Sequence, residues 1–226
     1  MDQFTITDER LERALRDLRR VNWWLGAHSA SLKALQPLLR GGDPVRLLDV
    51  ATGGADFPEY LLRYAPQVLS TGLDIHPETL QYARKRLERR VGPEASEKVR
   101  LVEGDALNLP FADNTFDVAV TSLFMHHLEE AKAVRMLGEL NRVARFGFIV
   151  NDLHRHPMAY YGVMVWGLVT NASEMFWHDG PLSVLKGFTR EELRWILRAA
   201  ELEGASVTWR WAFRWIISTV EGRHHG

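Results

Sequence analysis

Residues 46 to 56 read Arg46-Leu47-Leu48-Asp49-Val50-Ala51-Thr52-Gly53-Gly54-Ala55-Asp56, and the reading of this stretch decides the fold. Leu47 to Val50 form a short apolar run that carries one carboxylate, Asp49, and every side chain from Ala51 to Ala55 is small. A buried strand that breaks into such a turn lets the backbone approach a ligand closely, because no bulky side chain stands in the way. Phe57 to Ala65 reads as a short helix, so the turn lies between a strand and a helix N-terminus. Exposed amides and the helix dipole then face a ligand, as at the nucleotide-binding corner of a doubly wound sheet.

Downstream, strands and helices alternate. Val68 to Ile75 is the second strand, and Pro77 opens a helix whose buried face is Leu80, Ala83 and Leu87. Asp74 falls about twenty residues beyond the glycine turn, where nucleotide folds place the acid that accepts from ribose hydroxyls; helix N-capping is the other reading, and the two can coexist. Val99 to Val102 is strand three, followed by Glu103-Gly104-Asp105-Ala106-Leu107-Asn108-Leu109-Pro110-Phe111. Phe116 to Ser122 is strand four and leads into Phe124-Met125-His126-His127-Leu128. A helix over Glu129 to Ala144 and a fifth strand over Phe146 to Asn151 follow. The strands end in Asp49, Asp74, Glu103 to Asp105, Ser122 and Asn151, which an open α/β sheet gathers along one edge.

The dinucleotide fingerprint G-x-G-x-x-G is absent: Gly53 and Gly54 are adjacent, with Ala51 and Ala55 beside them. The spacing instead resembles the E/D-x-G-x-G-x-G motif of class I S-adenosylmethionine (SAM) methyltransferases, with Asp49 leading and Gly53 central. The turn looks like that of the ubiquinone/menaquinone-biosynthesis branch, and Gly104 to Phe111 resembles the family's G-D-A-x-x-L-P-F segment. Phe116 to His127 is similar to its F-D-x-V-x-x-x-x-x-H-H stretch, while His178-Asp179-Gly180-Pro181-Leu182-Ser183 resembles bacterial methyltransferases of secondary metabolism. The resemblance implies SAM as cofactor, S-adenosylhomocysteine as product, and Asp49, Ala51, Thr52, Gly53, Gly54, Asp74, Ile75, Gly104, Asp105, Ala106 and Ser122 as the residues that hold the cofactor. In that family the acid at Asp105 accepts from the adenine amino group, which suits a group that only accepts.

The expected architecture is α/β: a Rossmann-like, seven-stranded, mostly parallel sheet with an antiparallel last strand, helices on both faces and an N-terminal helical cap. One domain over residues 1–226 is expected, with 1–44 as cap or lid and 152–187 as a substrate-pocket insertion. In the cap, Asp8 to Arg20 reads as an amphipathic helix with Thr7 as N-cap, and Trp23-Trp24 lie beside a hinge at Gly26. Hydrophobic residues make up 46% and charged residues 25%, an ordinary globular balance; with net charge −1, nothing steers the chain to nucleic acid. The absence of cysteine excludes disulfides and thiolate chemistry and suits a cytoplasmic protein. No apolar run approaches the ~20 residues of a transmembrane segment.

Five histidines follow strands four and five: His126, His127, His154, His156 and His178. His126 and His127, being adjacent, are expected to point apart. His126 and His178 are the candidate catalytic pair, the latter in a His-Asp-Gly-Pro turn where Asp179 orients it; a positional role is the alternative for each. No metal site is expected. The run Met158 to Val169 is apolar around a whole helix and is expected to be buried on most sides, as a pocket wall or as a core or dimer helix. Thr189 should cap Arg190 to Leu202 with Trp195, Ile196 and Ala199 facing inward, and Val207, Trp209 and Trp211 should form one face of a half-buried terminal hairpin. The implied reaction is methyl transfer to an apolar, aromatic or polyketide-like small molecule, at oxygen. Alternatives are C-methylation of a quinone-type acceptor and a non-catalytic SAM-binding protein. The expected partner is the small-molecule acceptor, with a homodimer as a further possibility.

Overall fold

A computed structural model of the chain describes Arg16, Arg19, Arg20, Trp23 and residues 25–220 apart from Asn171 and Ser173. The expected helix over Asp8 to Arg20 lies largely outside the described residues, as do Thr7 and Trp24.

In the described residues seven strands join one sheet: β1 (Val45–Val50), β2 (Val68–Asp74), β3 (Val99–Glu103), β4 (Val118–Ser122), β5 (Phe148–Leu153), β6 (Ser206–Arg210) and β7 (Arg214–Ser218). Their order is β3-β2-β1-β4-β5-β7-β6. The first five run parallel, and β7 is antiparallel to both β5 and β6. The chain leaves β1 toward β2 and β3, then returns to place β4 on the other side. That reversal creates the crevice where open α/β sheets bind ligands.

Adjacent residues on the buried strands serve opposite faces, as a period of two requires. Leu47, Val118, Val120 and Ile149 pack with Leu35 and Leu38 of α1 (Ala27–Leu39) and Phe57 and Leu61 of α2 (Asp56–Tyr64). On the other face Leu48, Val50, Ala119, Phe148 and Val150 pack with Met136, Leu137 and Leu140 of α5 (Glu130–Val143). Between them in the chain lie α3 (Pro77–Val91) and the short α4 (Pro93–Ser96). After β5 come α6 (Pro157–Thr170), α7 (Glu174–Lys186) and α8 (Arg190–Ala199).

Several local expectations are corrected. Strand β5 starts at Phe148, after Gly147 at φ +108, and runs on to Leu153 because β7 pairs along Ile149 to Leu153. The His178-Asp179-Gly180-Pro181 stretch is not a turn but lies within α7: Phe176 and Val184, eight residues apart, are both buried on one helical stripe, and this packing carries the helix through Pro181. Helix α6 is not buried on most sides; of its residues Gly167 alone is buried. On α8 the inward residues are Leu193, Ile196 and Leu197, at i, i+3 and i+4, while Trp195 is 52% exposed and Ala199 is exposed. The Thr189 capping box with Glu192 fixes where that helix begins. Trp209 and Trp211 are exposed rather than half-buried, the first on the edge strand β6 and the second in the turn that follows it.

Candidate active site

The glycine turn is built on left-handed backbone: Ala51, Gly53 and Ala55 have φ of 57, 55 and 55°. Each alanine there costs about 1–2 kcal/mol, so the surroundings must over-determine the turn. They do. The Thr52 amide donates to the Leu73 carbonyl at 2.9 Å, and its hydroxyl donates to Asp49 Oδ2 at 2.6 Å. Asp49 lies buried beneath the turn; burial, with Asp56 and Asp74 nearby, pushes its carboxyl up to about 7. From α3, Arg86 donates to the Gly54 carbonyl and pairs with Glu59 and, at 2.7 Å, with Asp56. A residue so buried that bridges two acids and a carbonyl ties α3, α2 and the turn into one unit.

At the end of β2, Asp74 Oδ2 accepts from the Gly53 amide at 2.9 Å and Oδ1 from the His76 amide at 3.1 Å. Each oxygen keeps a second lone pair. Ile75 beside it is 55% exposed. Gly104 donates to the Asp74 carbonyl at 3.0 Å, and a Cβ there would meet the Leu73 side chain at 2.8 Å, so only glycine lets β3 turn this close to β2. Asp105 is exposed; its Oδ1 accepts from the Leu107 amide at 2.8 Å, which aims the carboxylate while Oδ2 is left for a ligand. Ala106 is buried behind it. The following loop is clamped from α5: Arg142 donates to the carbonyls of Leu109 and Phe111 and pairs with Glu139 and Asp113, and it holds the Glu139 carboxyl below its usual range.

At the end of β4 the Ser122 hydroxyl is buried without a hydrogen-bond partner among the described residues. Leu123 follows in left-handed backbone, φ 56°, its amide donating to the Asn151 carbonyl at 2.8 Å. The cofactor fit can be judged from these groups. Gly53 has open space where a Cβ would stand, Asp74 and Asp105 retain acceptors, and the Ser122 hydroxyl lacks a partner, all at the C-terminal ends of β1 to β4. Ribose hydroxyls, an adenine amino group and an amino-acid tail match that donor and acceptor set.

The histidines separate clearly. Met125–His127 forms a 3₁₀ turn in which His126 is buried. Its Nδ1 lies 2.6 Å from Asp152 Oδ1, and its backbone amide donates to Oδ2 at 3.2 Å. The side chains of His126 and Asp152 are 2% and 0% exposed. A carboxylate at Nδ1 selects the tautomer with its hydrogen there, leaving a lone pair on Nε2. That Nε2 is buried with no hydrogen-bond partner among the described residues. As expected, one of the two faces inward and the other outward, His126 buried and His127 exposed, although the tight turn keeps their rings 4.1 Å apart; partial burial and His126 push the His127 imidazole down to about 4.

His178 stands on α7 with its side chain 80% exposed, Nδ1 2.9 Å from Asp179. Nothing around it excludes water. His154 and His156 are taken up by the β6–β7 hairpin, their rings 4.8 Å from Trp215 and Phe213 respectively. Asn151, placed on the ligand edge by the sequence reading, turns to the other face and donates to the Ala27 carbonyl and Ser31. Its neighbour Asp152 therefore faces His126. Sequence reasoning missed Asp152, although a second polar residue closing an otherwise apolar strand was a legible signal. Trp23 rests edge-on against Tyr60 of α2 at 5.9 Å, on the helical layer. Among the described residues no cluster of three or more metal-ligating side chains occurs.

Comparison with known proteins adds three findings. A family model described as a methyltransferase domain matches residues 47–147. The chain is 36% identical over 124 residues to demethylmenaquinone methyltransferase of Thermus thermophilus, covering 54% of this chain and 53% of that protein. It is 35% identical over 135 residues to the ubiquinone/menaquinone biosynthesis C-methyltransferase UbiE of Ruegeria sp., covering 57% and 53%. The chain thus spans about half the length of the curated relatives it matches. The fold is similar to that of a SAM-dependent methyltransferase from Aquifex aeolicus, with TM-score 0.64, 18% identity and coverage of 92% and 97%. It is also similar to human N-acetylserotonin methyltransferase in complex with SAM, with TM-score 0.63, 16% identity and coverage of 96% and 57%.

Proposed function

We propose, on the match of residues 47–147 to a methyltransferase domain, that the chain is a class I SAM-dependent methyltransferase and that it methylates an apolar, aromatic or polyketide-like small molecule at a hydroxyl oxygen. Bound SAM supplies a methyl group activated by its sulfonium. The turn at Ala51 to Ala55 with Asp74, Asp105 and Ser122 would hold and orient it. The observation that carries the reading is the His126–Asp152 pair, with Nε2 unpartnered in a dry setting.

His126 Nε2 takes the proton of the acceptor hydroxyl, and Asp152 keeps Nδ1–H in place and balances the imidazolium that results. Such a base contributes roughly 10²–10⁴-fold for acceptors that do not ionise unaided. Burial of Met125 and the low exposure of the pair exclude the water that would otherwise compete for Nε2.

A second reading, transfer to a ring carbon of a quinol-type acceptor, is supported by the names of the relatives from Thermus thermophilus and Ruegeria. The same proton removal serves it, because a phenolate is more electron-rich at the adjoining ring carbons. Incubation with isotopically labelled SAM and a panel of phenols and reduced quinones, with NMR of the products, separates the two. O-methyl products support the first reading, and exclusive ring methylation replaces it with the second. Calorimetric binding of S-adenosylhomocysteine with no transfer to any acceptor would leave a SAM-binding protein without this activity.

A further inference from the structure

Helix α6 contains no charged residue, yet half of its circumference lies open. Its inner half, including Gly167, faces α7, where Phe176 and Trp177 pack over that glycine. The outer half carries Met158, Tyr161, Met164, Val165, Leu168 and Val169, exposed by 67, 65, 36, 60, 74 and 78%. Soluble monomers rarely leave a contiguous apolar face of this kind uncovered.

From this face we propose that α6 is the interface of a homodimer, packed against α6 of a second copy. Met158, Tyr161, Val165 and Leu168 recur at spacings of three, four and three residues. That is the seam along which two helices interlock side chains, so the occupant is a helix. At exposures like these, six such side chains present roughly 600–700 Å² of apolar surface, close to the ~800 Å² that each partner contributes to a standard stable interface. Gly162 sits beside the seam with open space at its Cβ position, which allows two backbones to approach. Because α6 is uncharged, a second copy meets no like charge across the axis, and the two-fold symmetric pairing is self-complementary.

Charge also decides against a lipid surface as the occupant. Helices that lie on anionic bilayers carry Lys and Arg beside the apolar face, whereas α6 has none and the neighbouring Arg155 is paired with Glu192. With a net charge of −1 the chain has no general attraction to such a surface. The pairing does not depend on the methyl-transfer reading.

Sedimentation velocity of the full chain across a broad concentration range provides the test, with Val165→Glu/Leu168→Glu as the breaking variant and Trp195→Glu on α8 as control. A wild-type dimer is expected, unchanged in the control and weakened roughly a hundredfold or more in the double variant, as for loss of central hot-spot residues. Since the double variant can fail to fold, Val165→Cys gives an independent reading: the chain has no cysteine, so one introduced thiol reports on one position. Under denaturing conditions, oxidation should leave Val165→Cys covalently linked as a dimer and Trp195→Cys unlinked. A wild type that stays monomeric at every concentration overturns the proposal, as does a dimer untouched by either α6 change. Co-flotation of monomeric wild type with anionic phospholipid vesicles would give the face to a bilayer instead.

Discussion

The glycine-turn corner and the α6–α7 hairpin lie in the same chain, and their chemistry is opposite. Around the turn almost every backbone group and charge has a named partner: Thr52 on Leu73 and Asp49, Gly53 on Asp74, Gly54 on Arg86. In α6 there is no charge to satisfy, and the outward half carries apolar side chains in the open. The corner must hold strained alanines in register for one ligand, which takes many directional bonds. The hairpin covers the 3₁₀ turn that bears His126, since α7 packs against that turn, and non-directional contact is enough for this. Directional bonds are thus concentrated at the glycine turn, and non-directional apolar contact at the hairpin.

The largest expected effect lies in the corner. Replacing Arg86 with Met strands the partly buried Asp56, leaves Glu59 with Arg90 as its remaining ion-pair partner and frees the Gly54 carbonyl, so urea unfolding should show a loss of about 3–5 kcal/mol. A loss below that of an average surface change would mean that the corner is not the stiff unit described. Next in size, Asp74→Ala should weaken SAM binding in calorimetry by roughly 1.5–3 kcal/mol, with Asp105→Ala milder, because hydrogen bonds to a charged group are lost. Equal affinities for both variants and for Glu88→Ala would misplace the whole cofactor edge.

Asp49 sharpens the contrast through pH. Its folded-state carboxyl, raised from 3.8 to about 7, holds its proton where the unfolded chain has lost it. Folding therefore takes up a proton between about pH 4 and 7, and stability from this group is present at the acidic end and lost as pH rises through that window, at up to about 1.4 kcal/mol per pH unit. Asp49→Asn should flatten the slope of unfolding free energy against pH; an unchanged slope would assign it to other groups. The smallest effect belongs to the hairpin, where Leu185→Ser at 52% exposure should shift stability by no more than about 0.5 kcal/mol.

How much of this was legible beforehand follows from the same physics. The parallel core was readable because its strands are continuous apolar runs punctuated by Gly53, Pro77, Gly104 and Asn114. Thr189 likewise announced the helix cap, to which the structure adds Glu192 as the second half of a capping box. Periodicity failed where a helix is apolar all round: composition made α6 look buried, but burial depends on whether a second layer exists to cover it. Trp195, Trp209 and Trp211 were placed inward for being hydrophobic, whereas the packing of Leu193, Ile196 and Leu197, the edge position of β6 and the turn after it decided otherwise. Pro181 looked like a turn because local signals cannot weigh the packing of Phe176 and Val184. The His126–Asp152 pair joins residues 26 apart in sequence, a distance no local pattern spans.

That pair is what the proposed function stands on, and a series of phenols of graded acidity tests it most directly. Methyl-transfer rates for wild type and His126→Ala should diverge most for the least acidic acceptors, where removal of the base lowers turnover roughly 10²–10⁴-fold. They should converge for phenols that ionise unaided, with SAM affinity unchanged throughout, and added imidazole should restore part of the lost rate. A loss of the same size for every acceptor, indifferent to imidazole, would contradict proton removal by His126 Nε2 and leave orientation and water exclusion as the contribution of this site.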